Sequence, residues 1–175
     1  GLGAAAVGTM ILVTKLVGAA ADPLMGVIAD RTRTRFGRFR PYLLWGALPM
    51  AFAGVLTWTV PDLGENGRLV WAYLTFSLMM LSYTVLSTPY SALSGVMTAD
   101  SRQRTTLISF RFIAAFAGTT LVNAFTLDLV QWFGRGDEAL GWQLTLALYG
   151  VVAVVLFATV FATTRERIAP PPQQR

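Results

Sequence analysis

The chain has 175 residues, of which 54% are hydrophobic and 13% are charged, whereas a soluble domain carries about 25% charged residues. It contains no His and no Cys, which excludes disulfide frameworks, His general bases, Cys nucleophiles and the usual ligand sets of zinc, haem and iron–sulfur clusters. The formal net charge of +5 comes from basic residues in short segments between long apolar runs, a pattern typical of membrane proteins rather than of nucleic-acid-binding proteins.

Five apolar runs are each long enough to cross a bilayer, because about 20 helical residues span its hydrocarbon core of about 30 Å. The runs cover residues 7–29, 41–60, 69–97, 107–133 and 140–163. We therefore predict an all-α membrane protein in which residues 1–168 form a partial transmembrane bundle of five helices. Residues 169–175, rich in Pro and Gln, are expected to be a polar cytoplasmic tail or linker.

The connections between the runs alternate in charge. The segment 30–40 holds five arginines, and further basic pairs follow the third and fifth runs, at Arg102 and Arg104 and at Arg165 and Arg167. The connections 61–68 and 134–139 each hold two acids and one arginine. The positive-inside rule then places the basic connections in the cytoplasm, and the first helix begins outside. We expect a further helix before Gly1, so that the chain is an internal part of a longer plasma-membrane protein.

The first run contains two ionisable residues, Lys15 and Asp22. Each such group costs roughly 2.5 to 3.5 kcal/mol at bilayer depth, so intramembrane charges usually mark an aqueous path or a functional pair. Together with Gly18 they are spaced i, i+3, i+7, which places all three on one helical face. One interpretation is a site that couples transport to a cation; the other is that both charges only neutralise partners on neighbouring helices.

The third run carries hydroxyl groups and aromatic rings on one side. At about 100° per residue, six of them fall within an arc of roughly 120°: Tyr83, Thr84, Ser87, Tyr90, Ser91 and Ser94. Neutral hydrogen-bonding groups beside aromatic rings suit a sugar. The alternative is that the small hydroxyl residues only pack between helices and the phenols anchor at the membrane surface.

Arg111 and Asp128 are the two charged residues of the fourth run. Arg111 lies near the cytoplasmic end, where it either reaches to the membrane surface or takes part in a gating ion pair. Asp128 is expected at the outer interface.

The segment Asp22–Thr32 and its continuation Arg35–Tyr42 resemble the pattern D-P-x-x-G-x-x-x-D-R-T-x-x-R-x-G-x-x-R-P. This pattern is found in the glycoside-pentoside-hexuronide:cation symporters, the melibiose permease family of the major facilitator superfamily. Two further matches follow in the expected order, at Pro89–Leu93 and from Met97 to Arg111. The resemblance implies that the five spans are helices two to six of a twelve-helix carrier, whose missing first helix and C-terminal half are the partners of this chain.

The resemblance also implies roles for individual residues. Asp22 matches the carboxylate at the family's cation site, and Lys15 matches a basic residue nearby. A second carboxylate of the sodium-coupled members would fall on Gly18, which has no side chain to offer. Of the two expected coupling ions, a proton or sodium, this favours the proton, and no resident cofactor or metal is expected. An acidic sugar-binding residue of those members aligns with Ser87, within a substrate face of Tyr83, Thr84, Ser87, Tyr90 and Ser91.

A third group of residues resembles the cytoplasmic gating elements of the superfamily, which hold its two halves together and bias outward-open against inward-open states. Its members here are Gly26, Asp30, Arg31, Arg35, Arg38, Arg104 and Arg111.

The predicted function is cation-coupled symport of a sugar or glycoside by alternating access. One alternative is the same fold carrying a lipid or another amphipathic solute, and an alternative of a different class is a membrane scaffold or receptor that transports nothing. An enzyme is not expected, because the chain lacks His and Cys and its intramembrane aspartates lie at opposite depths. No nucleic acid partner is expected.

Overall fold

A computed structural model of the chain describes residues 4–59, 61–62 and 64–166. These residues form five helices: α1 (Ala4–Arg31), α2 (Arg40–Thr57), α3 (Glu65–Met97), α4 (Ser101–Gly134) and α5 (Glu138–Thr163). Within the described ranges the only extended pairing is an isolated bridge between Thr34 and Gly37. The predicted tail 169–175 lies outside the described residues.

Several helix ends have evident causes in the sequence. The Asp100 side chain accepts a hydrogen bond from the backbone N–H of Arg102 at the start of α4, and the Asp137 side chain accepts one from Leu140 at the start of α5, as is typical of N-cap residues. α4 stops where Arg135 and Gly136 adopt positive φ angles of 46° and 105°. α4 begins before the apolar run that predicts it, because its first turn is polar and lies outside that run.

The helices pack in the order α1, α3, α2, α5, α4, which differs from their order in the chain. α2 lies between α3 and α5, α1 packs on α3, and α4 packs on α5; α3 also touches α4. Two glycines permit the close contacts of α2. A Cβ at Gly46 would lie 3.2 Å from the Cβ of Leu86, and one at Gly150 would lie 3.2 Å from the Cβ of Ala51.

Four of the described helices are long and apolar enough to cross a membrane, namely α1, α3, α4 and α5. α2 is shorter, with 18 residues, begins on Arg40 and contains two prolines, so it lies outside that group although it packs between two of its members. Large apolar side chains such as Phe110, Phe116 and Trp132 remain exposed on α4. The chain is thus part of a multi-pass membrane protein whose helix faces meet lipid or further protein.

Candidate substrate, cation and gating residues

Lys15 and Asp22 lie along one flank of α1. The helix packs through a stripe that contains the buried residues Thr14, Met25 and Ala29. Lys15 and Asp22 both lie next to that stripe, on the same side of it, because a separation of seven residues makes almost two full turns. Both side chains are exposed. Among the described residues neither makes a hydrogen bond or an ion pair. This flank therefore presents a carboxylate and an ammonium group that are open to a ligand or to helices outside this chain.

The predicted substrate face of α3 is mostly open. Tyr83 is 53% exposed, Ser91 is exposed, and Ser87 and Tyr90 are half-buried. Thr84 is different, because it is only 5% exposed and lies at the edge of the arc, inside the bundle. The structure therefore brings four of the five predicted substrate residues to an accessible face and leaves Thr84 away from it.

Arg111 joins this face from the neighbouring helix. Its guanidinium lies 4.6 Å from the centre of the Tyr90 ring, and Nη2 donates a hydrogen bond of 3.3 Å to the hydroxyl of Ser91. The Tyr90 ring is held from behind by an edge contact with Phe157 of α5, with ring centres 5.9 Å apart. The sequence predicts either a surface contact or a gating ion pair for Arg111, whereas the structure places it in the hydroxyl-rich face of α3.

Side-chain contacts hold the connection between α1 and α2 to the ends of both helices. Arg38 forms an ion pair of 2.7 Å with Asp30 at the end of α1. The hydroxyl groups of Thr32 and Tyr42 are hydrogen-bonded to each other, which ties the end of α1 to the first turn of α2.

The same connection is also fastened to the far end of α5. The carboxylate of Glu166 accepts hydrogen bonds from the backbone N–H groups of Arg38, Phe39 and Arg40. The Arg40 side chain donates a hydrogen bond to the backbone oxygen of Phe161. Neither residue is among the predicted gating residues, although Arg40 is the last arginine of the matched pattern and Glu166 is a lone acid between two arginines.

The remaining gating candidates do not form one cluster. Arg104 donates hydrogen bonds to the carbonyl oxygens of Gly95 and Thr98, at 3.4 and 3.2 Å, and so caps the end of α3. Arg31 is exposed, and Arg35 lies over the ring of Phe36. Gly26 is half-buried in α1. Of the predicted gating residues that the structure describes, Asp30 and Arg38 alone pair with each other through their charged side chains.

The sequence matches the family described as MFS/sugar transport protein over residues 1–175. The inner membrane symporter YicJ of Escherichia coli (strain K12) is 45% identical over 172 residues, which are 98% of this chain and 37% of that protein. The putative glycoside/cation symporter YagG of the same organism is 44% identical over 167 residues, 95% of this chain and 36% of that protein. The isoprimeverose transporter of Lactiplantibacillus pentosus is 37% identical over 170 residues, 96% of this chain and 36% of that protein.

The chain spans a little over a third of the length of these curated relatives. They are named as symporters and as a transporter, and none is named as an enzyme. The all-helical bundle with four apolar spans agrees with a match that covers the chain from its first residue to its last. The chain belongs to the MFS/sugar transport protein family.

Proposed function

We propose that the complete carrier, to which this chain contributes five helices of the N-terminal half, transports a sugar or glycoside together with a cation. The names of the relatives support both parts of this proposal, since one is named as a glycoside/cation symporter and another as an isoprimeverose transporter. The missing first helix and the C-terminal half complete the pathway. Transport then follows the alternating-access scheme of carriers built from two such halves.

The contact of Arg111 with Tyr90 and Ser91 is the observation that carries the substrate part of the proposal. It joins a guanidinium, a phenol ring and a hydroxyl on an open face, next to Ser87 and Tyr83. A sugar offers hydroxyl groups to such donors and acceptors and an apolar ring face to an aromatic side chain. Arg111 is thus proposed as a substrate-binding residue, in place of the gating role expected from the sequence.

Asp22 is proposed as the site of the coupling cation, with Lys15 as its neighbour on the same flank of α1. A proton or sodium ion bound to the carboxylate removes or compensates its charge, which lowers the free-energy cost of enclosing it in the membrane. Coupling requires the cation to bind with different affinity in the outward-open and inward-open states. The exposed position of Asp22 in α1 supports this role, and no resident cofactor takes part.

The basic connections are proposed to lie in the cytoplasm, with the carrier in the plasma membrane. The charge alternation of the loops supports this orientation, and the name of the inner membrane relative is consistent with it. In this orientation the Asp30–Arg38 ion pair lies at the cytoplasmic end, among the gating candidates Gly26, Arg31, Arg35 and Arg104. Breaking and remaking such contacts accompanies the rocking of the two halves.

Counterflow in liposomes tests the substrate proposal with the complete carrier. Vesicles loaded with unlabelled glycoside should accumulate the labelled compound, and Arg111→Gln should lower this exchange by about tenfold or more, because a charge-assisted hydrogen bond to the substrate is lost. Arg102→Gln is the matched control, since Arg102 is an exposed arginine on the first turn of the same helix. Counterflow that survives Arg111→Gln at the normal rate would remove Arg111 from the substrate site.

The same assay has two other outcomes. Exchange of an amphipathic lipid with no exchange of any glycoside would favour the alternative of a lipid carrier on the same fold. Absence of exchange for every solute, with the protein correctly inserted, would favour a membrane scaffold or receptor.

A further inference from the structure

Glu166 holds an unusual position for a residue just beyond a transmembrane helix. One of its oxygens accepts hydrogen bonds from the backbone N–H groups of Arg38, Phe39 and Arg40 at 3.0, 2.8 and 3.1 Å. The other oxygen accepts a second bond from Arg38 at 2.8 Å. Three consecutive N–H groups, of the residue before the N-cap, of the N-cap and of the first residue of α2, are thus satisfied by a carboxylate that lies 126 to 128 positions away in the chain.

This arrangement is favourable for electrostatic reasons. The first N–H groups of a helix have no partner within the helix and carry the positive end of its dipole. α2 has no side-chain cap of its own, since its N-cap residue is Phe39. A negatively charged acceptor from another part of the chain therefore replaces the missing local cap, and hydrogen bonds to a charged group are among the stronger ones.

Two further contacts join the α1–α2 connection to the end of α5. The Phe36 and Phe161 rings meet edge to face with their centres 5.5 Å apart. The Arg40 guanidinium lies 4.9 Å from the centre of the Phe161 ring and is hydrogen-bonded to the backbone oxygen of Phe161 in the last turn of α5. The α1–α2 connection and the end of α5 are thus joined by a carboxylate, a guanidinium and two rings. We call these contacts of Glu166, Arg40, Phe36 and Phe161 the α2–α5 joint.

Arg38 links this joint to α1. Its backbone N–H binds Glu166, while its side chain pairs with Asp30 at 2.7 Å. A continuous path of polar contacts therefore runs from the end of α1 through Arg38 to Glu166, three residues beyond the end of α5. Any shift of the chain after α5 must either move the arginine-rich connection with it or break the Glu166 contacts.

We infer that Glu166 is a positioning residue: by capping α2 it holds the arginine-rich connection against the end of α5 and thereby sets the balance between outward-open and inward-open states of the carrier. The capping itself stands on the geometry alone, whereas its effect on that balance rests on the proposed transport function. Loss of the cap frees the connection and favours the inward-open state. The reason is that the outward-open state, in which the cytoplasmic side is closed, depends on cytoplasmic contacts of Arg38 and its neighbours, and without the cap these residues are no longer held in place for them.

Backbone amide exchange in the full-length carrier tests the cap. Peptides that cover residues 36–43 contain the three N–H groups bound by Glu166, and in Glu166→Ala these should exchange at least about tenfold faster, since charged hydrogen bonds are lost. Glu166→Gln keeps one acceptor oxygen and loses the charge, so its effect should be intermediate. Glu138→Gln, at the opposite end of α5, should change nothing in these peptides. Unchanged exchange in Glu166→Ala would overturn the cap without affecting the proposed function.

Thiol alkylation tests the positioning role. The chain has no cysteine, so in a carrier freed of its other cysteines a single one can report from Met80 or from Ser94, which lie roughly 21 Å apart on one face of α3. In Glu166→Ala the ratio of the alkylation rates at Ser94 and Met80 should rise about fivefold or more, as expected for a coupling between distant elements. Faster amide exchange with an unchanged ratio would mean that the cap is only structural, and would overturn the positioning role.

Gly37 offers a second variant that acts on the same contact from the other side. A Cβ at Gly37 would lie 2.5 Å from the Glu166 Oε1 atom, and its φ angle is +110°. Gly136 has a similar φ angle of +105° but nothing within 4 Å of its Cβ position, so Gly136→Ala imposes a comparable backbone strain without the clash. Gly37→Ala should reproduce the faster amide exchange and the shifted alkylation ratio, and Gly136→Ala should not.

The outcomes separate this inference from the proposed function. If Glu166→Ala leaves the three amides protected, the cap is wrong whatever the carrier transports. If the wild-type carrier exchanges sugar but the alkylation ratio responds to neither Glu166→Ala nor Gly37→Ala, the positioning role fails alone. If no solute is exchanged by the wild-type carrier, the proposed function fails while the amide data still decide the cap.

Discussion

Asp22 is an exposed carboxylate on an apolar helix. Replacing it with Asn keeps the shape of the side chain but removes the charge that a cation needs. We therefore expect Asp22→Asn in the full-length carrier to abolish accumulation of sugar against a gradient while leaving exchange of sugar across the membrane. The measurement is uptake with and without an imposed cation gradient, compared with counterflow in the same vesicles.

A suitable control for this substitution is Asp62→Asn. Asp62 is exposed in the connection between α2 and α3 and pairs with Arg68 at 3.5 Å, a surface contact of small energetic value. Accumulation should survive there. Normal accumulation in Asp22→Asn would remove Asp22 from the coupling site.

The sequence predicts which residues share a face of one helix, because that depends only on the helical period. It does not predict which residues meet from different helices, because that depends on packing. The spacing of Lys15 and Asp22 predicts a shared flank of α1, because that relation is internal to one helix. The contact of Arg111 with Tyr90 joins two helices, and Glu166 meets Arg38 from 128 positions away. Neither relation follows from local spacing, so the sequence predicts a charged Arg111 in the fourth run without its partners, and it gives no role to Glu166.

The close approach of α4 and α5 depends on Gly141. A Cβ there would lie 2.3 Å from the backbone oxygen of Val130, and backbone atoms yield less readily than the end of a side chain. Gly141→Ala should therefore lower the free energy of unfolding by about 1–3 kcal/mol, the usual range for overpacking. A melting curve of the purified full-length carrier, followed by intrinsic fluorescence, measures this as a lower midpoint.

The direction in which Gly141→Ala changes the melting midpoint is informative, because alanine forms helices better than glycine does. At Gly118, in the middle of α4, nothing lies within 4 Å of the Cβ position, and Gly118→Ala should be neutral or stabilising by up to about 1 kcal/mol. If Gly141→Ala raises the melting midpoint as much as Gly118→Ala does, the close contact between α4 and α5 is wrong.

Two helices begin earlier than the apolar runs that predict them. The third and fourth runs predict helices from 69 and 107, whereas α3 begins at Glu65 and α4 at Ser101. The apolar run reports the part of a helix that meets lipid, while the helix itself continues into a polar turn that ends at a cap such as Asp100. The order in which the helices pack, with α3 next to α1 and α2 next to α5, has no local signature in the sequence at all.

The orientation of the whole molecule rests on the distribution of arginine between its two ends. Five arginines lie in the connection 30–40, and each of the two acidic connections has one. Because Lys and Arg near the ends of spans govern insertion, we expect the arginine-rich end in the cytoplasm. Ala99 and Ala139 are exposed, lie at opposite ends of the bundle and carry no charge, so a cysteine at either position leaves the charge distribution unchanged.

Labelling with a membrane-impermeant maleimide on right-side-out vesicles decides between the two orientations. The chain has no cysteine of its own, so in a carrier that is otherwise cysteine-free each variant reports one site. Ala139→Cys should react in intact vesicles, and Ala99→Cys should react only after the membrane is permeabilised. The opposite pattern would invert the carrier and place Asp30, Arg38 and Glu166 on the outer side, where their contacts would control entry of the substrate from outside instead of its release to the cytoplasm.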